Sequence, residues 1–186
     1  MRRRVFIAIK LPEGVKKKLG SFQLKWPELP CRWTKKDNLH ITLEFLGYLI
    51  DEEVVELCQR TRQIASEKPP FTVKLTKICY GPTDKKPIRS LSAQRSSHRS
   101  PRPSSGVAPR MLWAIGDKIK EFNIIPHITL GRLKMLQFRQ MEPEERPEIS
   151  ENIDLSFEVN SIEVMESRLK RNGPDYTILE LCPLKG

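Results

Sequence analysis

Hydrophobic and polar residues follow one another along the chain with the periods typical of strands and helices. Residues 5–9 are apolar at every position, which predicts a short strand buried on both faces. Residues 39–46, 71–80 and 176–181 are further strand candidates, and apolar residues alternate with polar ones over 155–159. Within 71–80 the alternation changes parity, which predicts a β-bulge.

Two segments show the period of an amphipathic helix. Pro12 opens the first, in which Val15, Leu19 and Phe22 share one face. Residues 52–66 form the clearer one, because their apolar side chains make a single stripe and acidic residues at the start favour the helix dipole. The elements intermix without a βαβ rhythm, so we predict an α+β fold with antiparallel sheets.

The second half of the chain is less regular in sequence. Residues 111–115 and 124–130 are predicted strands, and the short stretch 117–122 between them is compatible with a helix. After 155–159 the alternation continues at 162–164 on the opposite parity, which predicts either a bulge or a tight corner.

The chain is basic, with a formal net charge of +10 over 186 residues. Residues 85–110 carry +7 of this charge with no Asp or Glu, which leaves the rest only mildly basic. The same stretch is rich in Ser and Pro, a composition that buries too little apolar surface to become ordered. We therefore predict one domain over residues 1–186 with a mobile basic loop at 85–110. The loop either guides a polyanion or is simply solvated.

Composition also argues against several classes of protein. No apolar run approaches the roughly 18 residues that a membrane span needs, and residues 1–10 contain too short an apolar stretch for a signal peptide. We therefore expect a cytoplasmic protein. The four cysteines are scattered without a C-x-x-C pair, which predicts buried free thiols instead of a zinc site or a disulfide scaffold. We expect a monomer without a cofactor.

One tetrapeptide, His-Ile-Thr-Leu, occurs twice, at 40–43 and at 127–130. Residues two apart on a strand point to the same face, so each copy presents its His and Thr on one face and buries its Ile and Leu. We predict two lobes related by an approximate two-fold axis, with both polar faces meeting in one cleft. The side chains that meet there are His40, Thr42, His127 and Thr129.

Two imidazoles on either side of a phosphorus atom can act as base and acid in an in-line displacement. Each threonine hydroxyl can donate to a non-bridging oxygen and stabilise the charge that grows there. The scheme needs no metal, and the sequence contains no Asp-rich or His-rich cluster to hold one. The third histidine, His98, lies in the predicted loop, and we expect no role for it.

These motifs have neighbours that point to a known family. Residues 6–9 read F-I-A-I, 40–47 read H-I-T-L-E-F-L-G and 126–132 read P-H-I-T-L-G-R. Towards the end, S-R-L at 167–169 is followed by G-P-D-Y-T at 173–177. The set resembles the 2H phosphoesterase superfamily, and in detail its LigT-like branch of RNA 2′,3′-cyclic phosphodiesterases, historically called 2′-5′ RNA ligases.

The resemblance implies a bilobal α+β fold with an antiparallel sheet and a covering helix in each lobe and an active-site groove between them. It implies hydrolysis of a 2′,3′-cyclic phosphate at an RNA 3′ end to a 2′-phosphomonoester, with 2′-5′ ligation as the reverse reaction. By the same carry-over, His40 is the general acid for the departing 3′ oxygen and His127 is the general base for water. Thr42 and Thr129 bind the phosphate. The pseudo-symmetry leaves the opposite assignment of acid and base open.

The resemblance also implies a substrate-binding role for Arg132, which follows the second motif as it does in the family. A surface arginine is the alternative interpretation. Tyr176 is a further candidate for substrate binding, because it belongs to a set of aromatic residues that could stack a terminal base. The others in that set are Trp33, Phe45 and Trp113, and for each of the four the core is the expected location.

Two other functions are compatible with the sequence. One is an RNA- or nucleotide-binding module with little turnover that uses 85–110 as a basic arm. The other is a 2H phosphodiesterase that acts on a small cyclic nucleotide, an ADP-ribose cyclic phosphate or a 2′-5′ linkage. The expected partners are RNA 3′ ends or cyclic nucleotides, with no membrane and no obligate protein partner. We do not expect ATP-driven ligation, because no phosphate-binding glycine loop or nucleotide-activating lysine motif is evident.

Overall fold

A computed structural model describes residues 1–81, 90–94, 127–171 and 173–185. The strands in these ranges are β1 (Arg2–Lys10), β2 (Cys31–Trp33), β3 (His40–Ile50), β4 (Phe71–Gly81), β5 (Ser90–Gln94), β6 (His127–Leu133), β7 (Ser150–Val159), β8 (Ser161–Lys170) and β9 (Gly173–Pro183). The helices are α1 (Glu13–Gln23), α2 (Asp51–Ser66) and α3 (Met135–Gln140), with 3₁₀ turns at Lys36–Asn38 and Pro143–Glu145.

All nine strands are joined by antiparallel pairs into one sheet in the order β7-β4-β5-β6-β3-β1-β8-β9, and β2 pairs with β6 beside this path. The pairing narrows to a single residue pair, Ile41 with Ile128, where β3 meets β6. On one side of that point lie β3, β1, β8 and β9, and on the other side lie β6, β5, β4 and β7 together with β2; the strands pair over longer stretches within each group. The predicted α+β fold with antiparallel pairing is confirmed, and its two halves meet at the repeated tetrapeptides.

Both longer helices cover the same face of the sheet. The buried side chains Val15 and Leu19 of α1 and Leu57 and Ile64 of α2 join one core cluster with alternate residues of β1. α1 lies against β6 and the 3₁₀ turn at Lys36–Asn38, whereas α2 lies against β9, β3 and β8. Since successive strand residues point to opposite faces, the remaining side chains of β1 and β3 lie on the face that these helices leave open.

The helix predicted at 52–66 is confirmed as α2. Its first turn contains Asp51, Glu52 and Glu53, where negative charge interacts favourably with the helix dipole. The Glu53 carboxylate also accepts a hydrogen bond of 2.9 Å from the Ile50 N–H, which satisfies one backbone donor at the start of the helix.

β3 continues to Ile50, beyond the end at residue 46 that the pattern predicts. Gly47 lies within the strand at a φ of 81°, in the left-handed region that favours glycine. Leu43 and Leu46 have no partner in the register with β1, so β3 contains two bulges. The strand therefore passes through Gly47 in a bulge and does not end there.

The prediction of one basic loop at 85–110 is wrong for residues 90–94. They form β5, a buried strand between β4 and β6. Leu91 and Ala93 belong to the core, and the Ser90 hydroxyl donates to the Gly81 carbonyl at 2.9 Å. Small side chains fit this crowded position, and only one of the five residues is strongly apolar, which is why composition failed to reveal a strand.

The other predictions for this region lie outside the described residues. They are the rest of the basic loop, the strand at 111–115 and the helical stretch at 117–122. Of the strand predicted at 124–130, the described part is the beginning of β6 at His127.

Two parity changes in the sequence have different structural causes. In β4 the register with β7 shifts between Leu75 and Lys77, which confirms the predicted bulge. After Val159, in contrast, the chain makes a tight corner and enters β8 at Ser161. The two strands lie in opposite halves of the sheet, so the second parity change marks a change of half.

The four cysteines are free thiols, as predicted, but the expected burial holds only for Cys79 and Cys182, and the other two are half-buried. Burial raises the pKa of the Cys31 thiol to about 11 and that of Cys182 to about 12, so both are protonated near neutral pH. No helix within the described ranges is long and apolar enough to span a membrane.

Gly131 in β6 approaches β2 so closely that a side chain does not fit. A Cβ atom at this position would collide with Cys31 Sγ and would lie 2.9 Å from Trp33 Cε3. We expect Gly131→Ala to lower the free energy of unfolding by about 1–3 kcal/mol in urea denaturation, because the strand pair must separate to accommodate the methyl group.

Gly20→Ala is the matched control for this prediction. Gly20 lies within α1, and a Cβ atom there would have no other atom within 4 Å. We expect this substitution to raise the free energy of unfolding by roughly 0.5–1 kcal/mol, because glycine is unfavourable inside a helix. If both substitutions changed the free energy of unfolding equally, close packing at Gly131 would not be the cause of the change in Gly131→Ala.

Candidate active site

The two repeated tetrapeptides lie side by side at the centre of the sheet. Ile41 of β3 pairs with Ile128 of β6 in antiparallel orientation. In an antiparallel ladder the residues flanking such a pair oppose one another crosswise. The opposed side chains are His40 with Thr129 and Thr42 with His127. The approximate two-fold axis that the repeat predicts therefore passes through the Ile41–Ile128 pair.

These four polar side chains line one cleft of about 470 Å³ on the face of the sheet that α1 and α2 leave open. The apolar residues of both tetrapeptides, in contrast, are buried in the main core; they are Ile41, Leu43, Ile128 and Leu130. The alternation expected of a strand thus explains the arrangement, because each copy turns one face to the core and the other to the cleft.

The His40 imidazole is held in one orientation and one neutral tautomer. Its Nδ1 lies 2.7 Å from the Asn38 carbonyl oxygen, which can only accept, so Nδ1 carries the hydrogen and donates. In the neutral ring Nε2 then bears the lone pair, to which the Thr42 hydroxyl donates at 3.0 Å. Nε2 is therefore the atom of His40 that can take up or release a proton in the cleft.

Asn38 and two aromatic rings surround His40. The Asn38 side chain donates from Nδ2 to the Pro174 carbonyl at 2.8 Å, which connects the 3₁₀ turn to the start of β9. The Phe6 ring lies 5.1 Å from the imidazole between centroids, and Tyr176 lies at the same distance in an edge-on orientation of 83°. The imidazole is thus fixed by packing as well as by hydrogen bonds.

Burial lowers the pKa of His40, and the positive charge that His127 can carry lowers it further, against the opposing effect of the hydrogen bond to the Asn38 carbonyl. The two imidazoles are therefore close enough to influence each other, and His40 is neutral in the free protein at pH 7. Burial raises the pKa of Tyr176, so its phenol stays protonated.

Among the described residues, four cationic side chains and no carboxylate line the cleft; the cations are Arg4, Arg32, Lys35 and Arg132. None of them forms an ion pair within 4.0 Å in the part of the chain that the structure describes. Arg32 and Arg132 oppose each other directly across the β2–β6 pair. Like charges in this position repel, so a bound anion would stabilise the pair.

Arg132 and Tyr176, the two predicted binding residues, both line the cleft. Ser167, Gly173 and Pro174 of the closing motif line it too. Their positions follow from β8 and β9, which present this motif beside β1.

Sequence reasoning missed Arg4 and Arg32. The alternation within β1 places Arg4 on the same face as Phe6 and could have revealed it. For Arg32 there was no such signal, because β2 is only three residues long and its partner is distant in sequence.

The expectation that Phe45 is buried in the core is wrong, because its side chain is 61% exposed at the rim of the cleft. Trp33 and Tyr176 are half-buried and also line the cleft, so neither belongs fully to the core. Trp113 lies outside the described residues.

No group of three or more His, Cys, Asp or Glu side chains able to hold a metal ion occurs in the described part of the chain. A second, shallow cavity of about 500 Å³ lies between α2 and the end of β9 and contains no histidine.

Comparison with known proteins gives independent evidence for the family. The family model for "LigT like Phosphoesterase" matches residues 9–91. The chain is 29% identical over 178 residues to an RNA 2′,3′-cyclic phosphodiesterase of Methanocaldococcus jannaschii, and the alignment covers 95% of this chain and 98% of that relative.

The similarity to solved structures extends over nearly the whole length of the chain. TT0787 of Thermus thermophilus has a TM-score of 0.78 and 27% identity, with 98% of both chains covered. Escherichia coli LigT complexed with NADP⁺ has a TM-score of 0.74 and 25% identity, with 100% of both chains covered. Together with the family model, these similarities confirm the resemblance to LigT-like phosphoesterases of the 2H superfamily that the motifs indicate.

Proposed function

We propose that the protein hydrolyses the 2′,3′-cyclic phosphate at the 3′ end of RNA to a 2′-phosphomonoester without a metal ion. The observation that carries the proposal is the crosswise opposition of two His–Thr pairs in one cationic cleft. The relative from M. jannaschii is named for action on the same kind of bond. All residues invoked belong to one chain, so we propose a monomeric enzyme, and its RNA substrate suits the cytoplasm.

Hydrolysis requires one proton to leave water and one to reach the departing oxygen. An imidazole nitrogen of His127 removes the proton from water while the water oxygen forms its bond to phosphorus. The bond between phosphorus and the 3′ oxygen breaks, and Nε2 of His40 donates its proton to that oxygen. The phosphate stays on the 2′ oxygen, and proton exchange with solvent restores both imidazoles. The approximate two-fold axis makes the exchange of these two roles the alternative.

His40 must carry a proton on Nε2 before it can act as the acid. In the free protein near pH 7 the ring is neutral, because burial lowers its pKa. A cyclic phosphodiester is an anion, and a negative charge beside the imidazole raises the pKa again. The negative charge of the bound substrate therefore favours the protonated form of His40, which is the form that acts as the acid.

The same protonation frees the Thr42 hydroxyl. In the neutral state Thr42 donates to the Nε2 lone pair of His40. Once Nε2 carries a proton it no longer accepts, and the hydroxyl can turn to donate to a non-bridging phosphate oxygen. Thr129 occupies the equivalent position beside His127. Each threonine thus stabilises the charge that develops in the transition state.

The cations of the cleft suit the substrate and the product. Arg32 and Arg132 face each other with no carboxylate of the described residues between them, and both can donate to phosphate oxygens. E. coli LigT, one of the structural neighbours, was crystallised with NADP⁺. NADP⁺ carries a phosphate on a ribose 2′ oxygen, which is the group that the proposed product carries.

The test is hydrolysis of a short RNA that ends in a 2′,3′-cyclic phosphate, with EDTA present. We expect the wild type to release a 2′-phosphomonoester, identified by ³¹P NMR. His40→Ala and His127→Ala should each lower kcat by about 10²–10⁴, because each removes one proton-transfer group. His98→Ala is the matched control, since it removes the third histidine of the chain, and it should retain wild-type activity.

Two outcomes would contradict the proposal. Folded wild-type protein that binds the RNA without turnover would favour a binding module instead. Activity that disappears with EDTA and returns with a divalent metal would show that the reaction needs a metal ion, contrary to the mechanism based on two histidines.

A second prediction concerns the proton affinity of His40. An NMR titration of the imidazole signals, assigned with His40→Asn, should give a midpoint below the ordinary 6.5 in the free protein because the ring is buried. Inorganic phosphate should move the midpoint upward, because an anion stabilises the imidazolium. A midpoint above 6.5 in the free protein, or a downward shift with phosphate, would rule out this account of how the acid is protonated.

A further inference from the structure

The two bulges of β3 place a row of side chains on the face of the sheet that α1 and α2 leave open. Thr42, Phe45 and Tyr48 are spaced by three residues, so a regular strand would turn Phe45 away from the other two. Leu43 and Leu46 are the unpaired bulge residues that absorb this difference. The cross-strand partners are Ala8 for Thr42, Phe6 for Phe45 and Arg4 for Tyr48. Since directly opposed residues share a face, the row leads from the catalytic cleft along β3.

Two exposed aromatic rings stand in this row. Phe45 is 61% exposed, and its ring lies 5.7 Å from that of Phe6, which also contacts His40. Tyr48 is 66% exposed and lies further from the cleft. Exposed rings on an open sheet beside a phosphate site are suited to stacking nucleic-acid bases, which have an apolar face of the same size.

Arg4 lies beside the two rings. It lines the cleft and pairs with Tyr48 across the β1–β3 ladder. Arg4 forms no ion pair within the described ranges, whereas its neighbour Arg3 donates to the carboxylates of Asp51 and Glu166. The Arg4 guanidinium therefore has no carboxylate competing with a phosphate ligand.

Distances along the sheet separate two positions for bases. From Ala8, opposite Thr42, to Arg4, opposite Tyr48, is four residues of β1, or about 13 Å at the usual rise of a strand. Phe45 lies about halfway, within reach of the base whose own phosphate contacts Thr42. Tyr48 lies beyond that base and in reach of the next one along the RNA.

We propose that Phe45, Tyr48 and Arg4 form a binding track for single-stranded RNA. The terminal base stacks on Phe45, the preceding base stacks on Tyr48, and Arg4 binds the phosphodiester between them. The inference rests on the proposed function and narrows its substrate class from small cyclic nucleotides to RNA chains of at least two nucleotides. A protein partner could also cover exposed rings, but the unpaired arginine and the continuity with a cationic cleft favour RNA.

The experiment compares kcat/KM for a nucleoside 2′,3′-cyclic phosphate with kcat/KM for a dinucleotide that ends in the same group. Wild-type protein should prefer the dinucleotide by about five-fold or more, the usual contribution of one stacked base. Tyr48→Ala should abolish this preference and leave kcat/KM for the mononucleotide unchanged. Tyr48→Phe should retain the preference, because it keeps the ring.

Arg4→Ala tests the phosphodiester contact. The substitution should lower kcat/KM for the dinucleotide more than kcat/KM for the mononucleotide. It should also reduce the slope of log(kcat/KM) against log[salt] by about 1. Val55→Ala is the matched control, since Val55 is an apolar side chain of α2 that is 57% exposed. Thermal unfolding of each variant establishes that it is folded.

The possible failures are distinguishable. If the wild type hydrolyses both substrates and Tyr48→Ala retains the dinucleotide preference, the track is wrong and the proposed function stands. A face that serves a protein partner is then the remaining interpretation. If no substrate turns over, the proposed function is wrong. Anisotropy titration with a labelled trinucleotide 2′-phosphate then shows whether the track binds RNA. Equal Kd values for wild type and Tyr48→Ala would overturn it, and weaker binding by the variant would support it.

Discussion

The site depends on one residue pair, Ile41 with Ile128, through which the two halves of the sheet are joined. Both isoleucines are fully buried, so the hydrophobic core fixes the point at which β3 meets β6. Strand alternation then dictates the rest, because the residues on either side of a buried position must face the opposite way. A histidine and a threonine of each half are thereby brought to the same face in crosswise opposition. The arrangement of the four proposed catalytic side chains is in this sense a consequence of core packing.

Several features of the cleft are unfavourable in the free protein and become favourable when an anion binds. His40 is half-buried against Phe6 and Tyr176, and this partial burial penalises its charged form. Arg32 and Arg132 oppose each other, and none of the described lining residues places a carboxylate between them. A phosphodiester would relieve the repulsion between the arginines and stabilise the imidazolium. Such preorganisation is effective because the cleft need not rearrange as charge develops on the phosphate.

How much could be predicted from the sequence depended on whether a feature is local. The period within α2 and the identical tetrapeptides are local patterns, so the helix and the meeting of the four central side chains in one cleft could be predicted. β5 could not, because a buried strand of small residues has the composition of a loop. Arg32 enters the cleft only through pairing with a strand about a hundred residues away. The row from Thr42 to Tyr48 depends on two bulges, and a bulge reverses the parity that sequence analysis assumes.

The central claim is that the two histidines divide acid and base catalysis between them. The most direct measurement is the pH dependence of kcat/KM on a cyclic-phosphate RNA for wild type, His40→Ala and His127→Ala with EDTA present. The account predicts a bell-shaped profile for the wild type, with the alkaline limb missing in His40→Ala and the acidic limb missing in His127→Ala, because an acid must be protonated and a base deprotonated. An unchanged bell in both variants would contradict it.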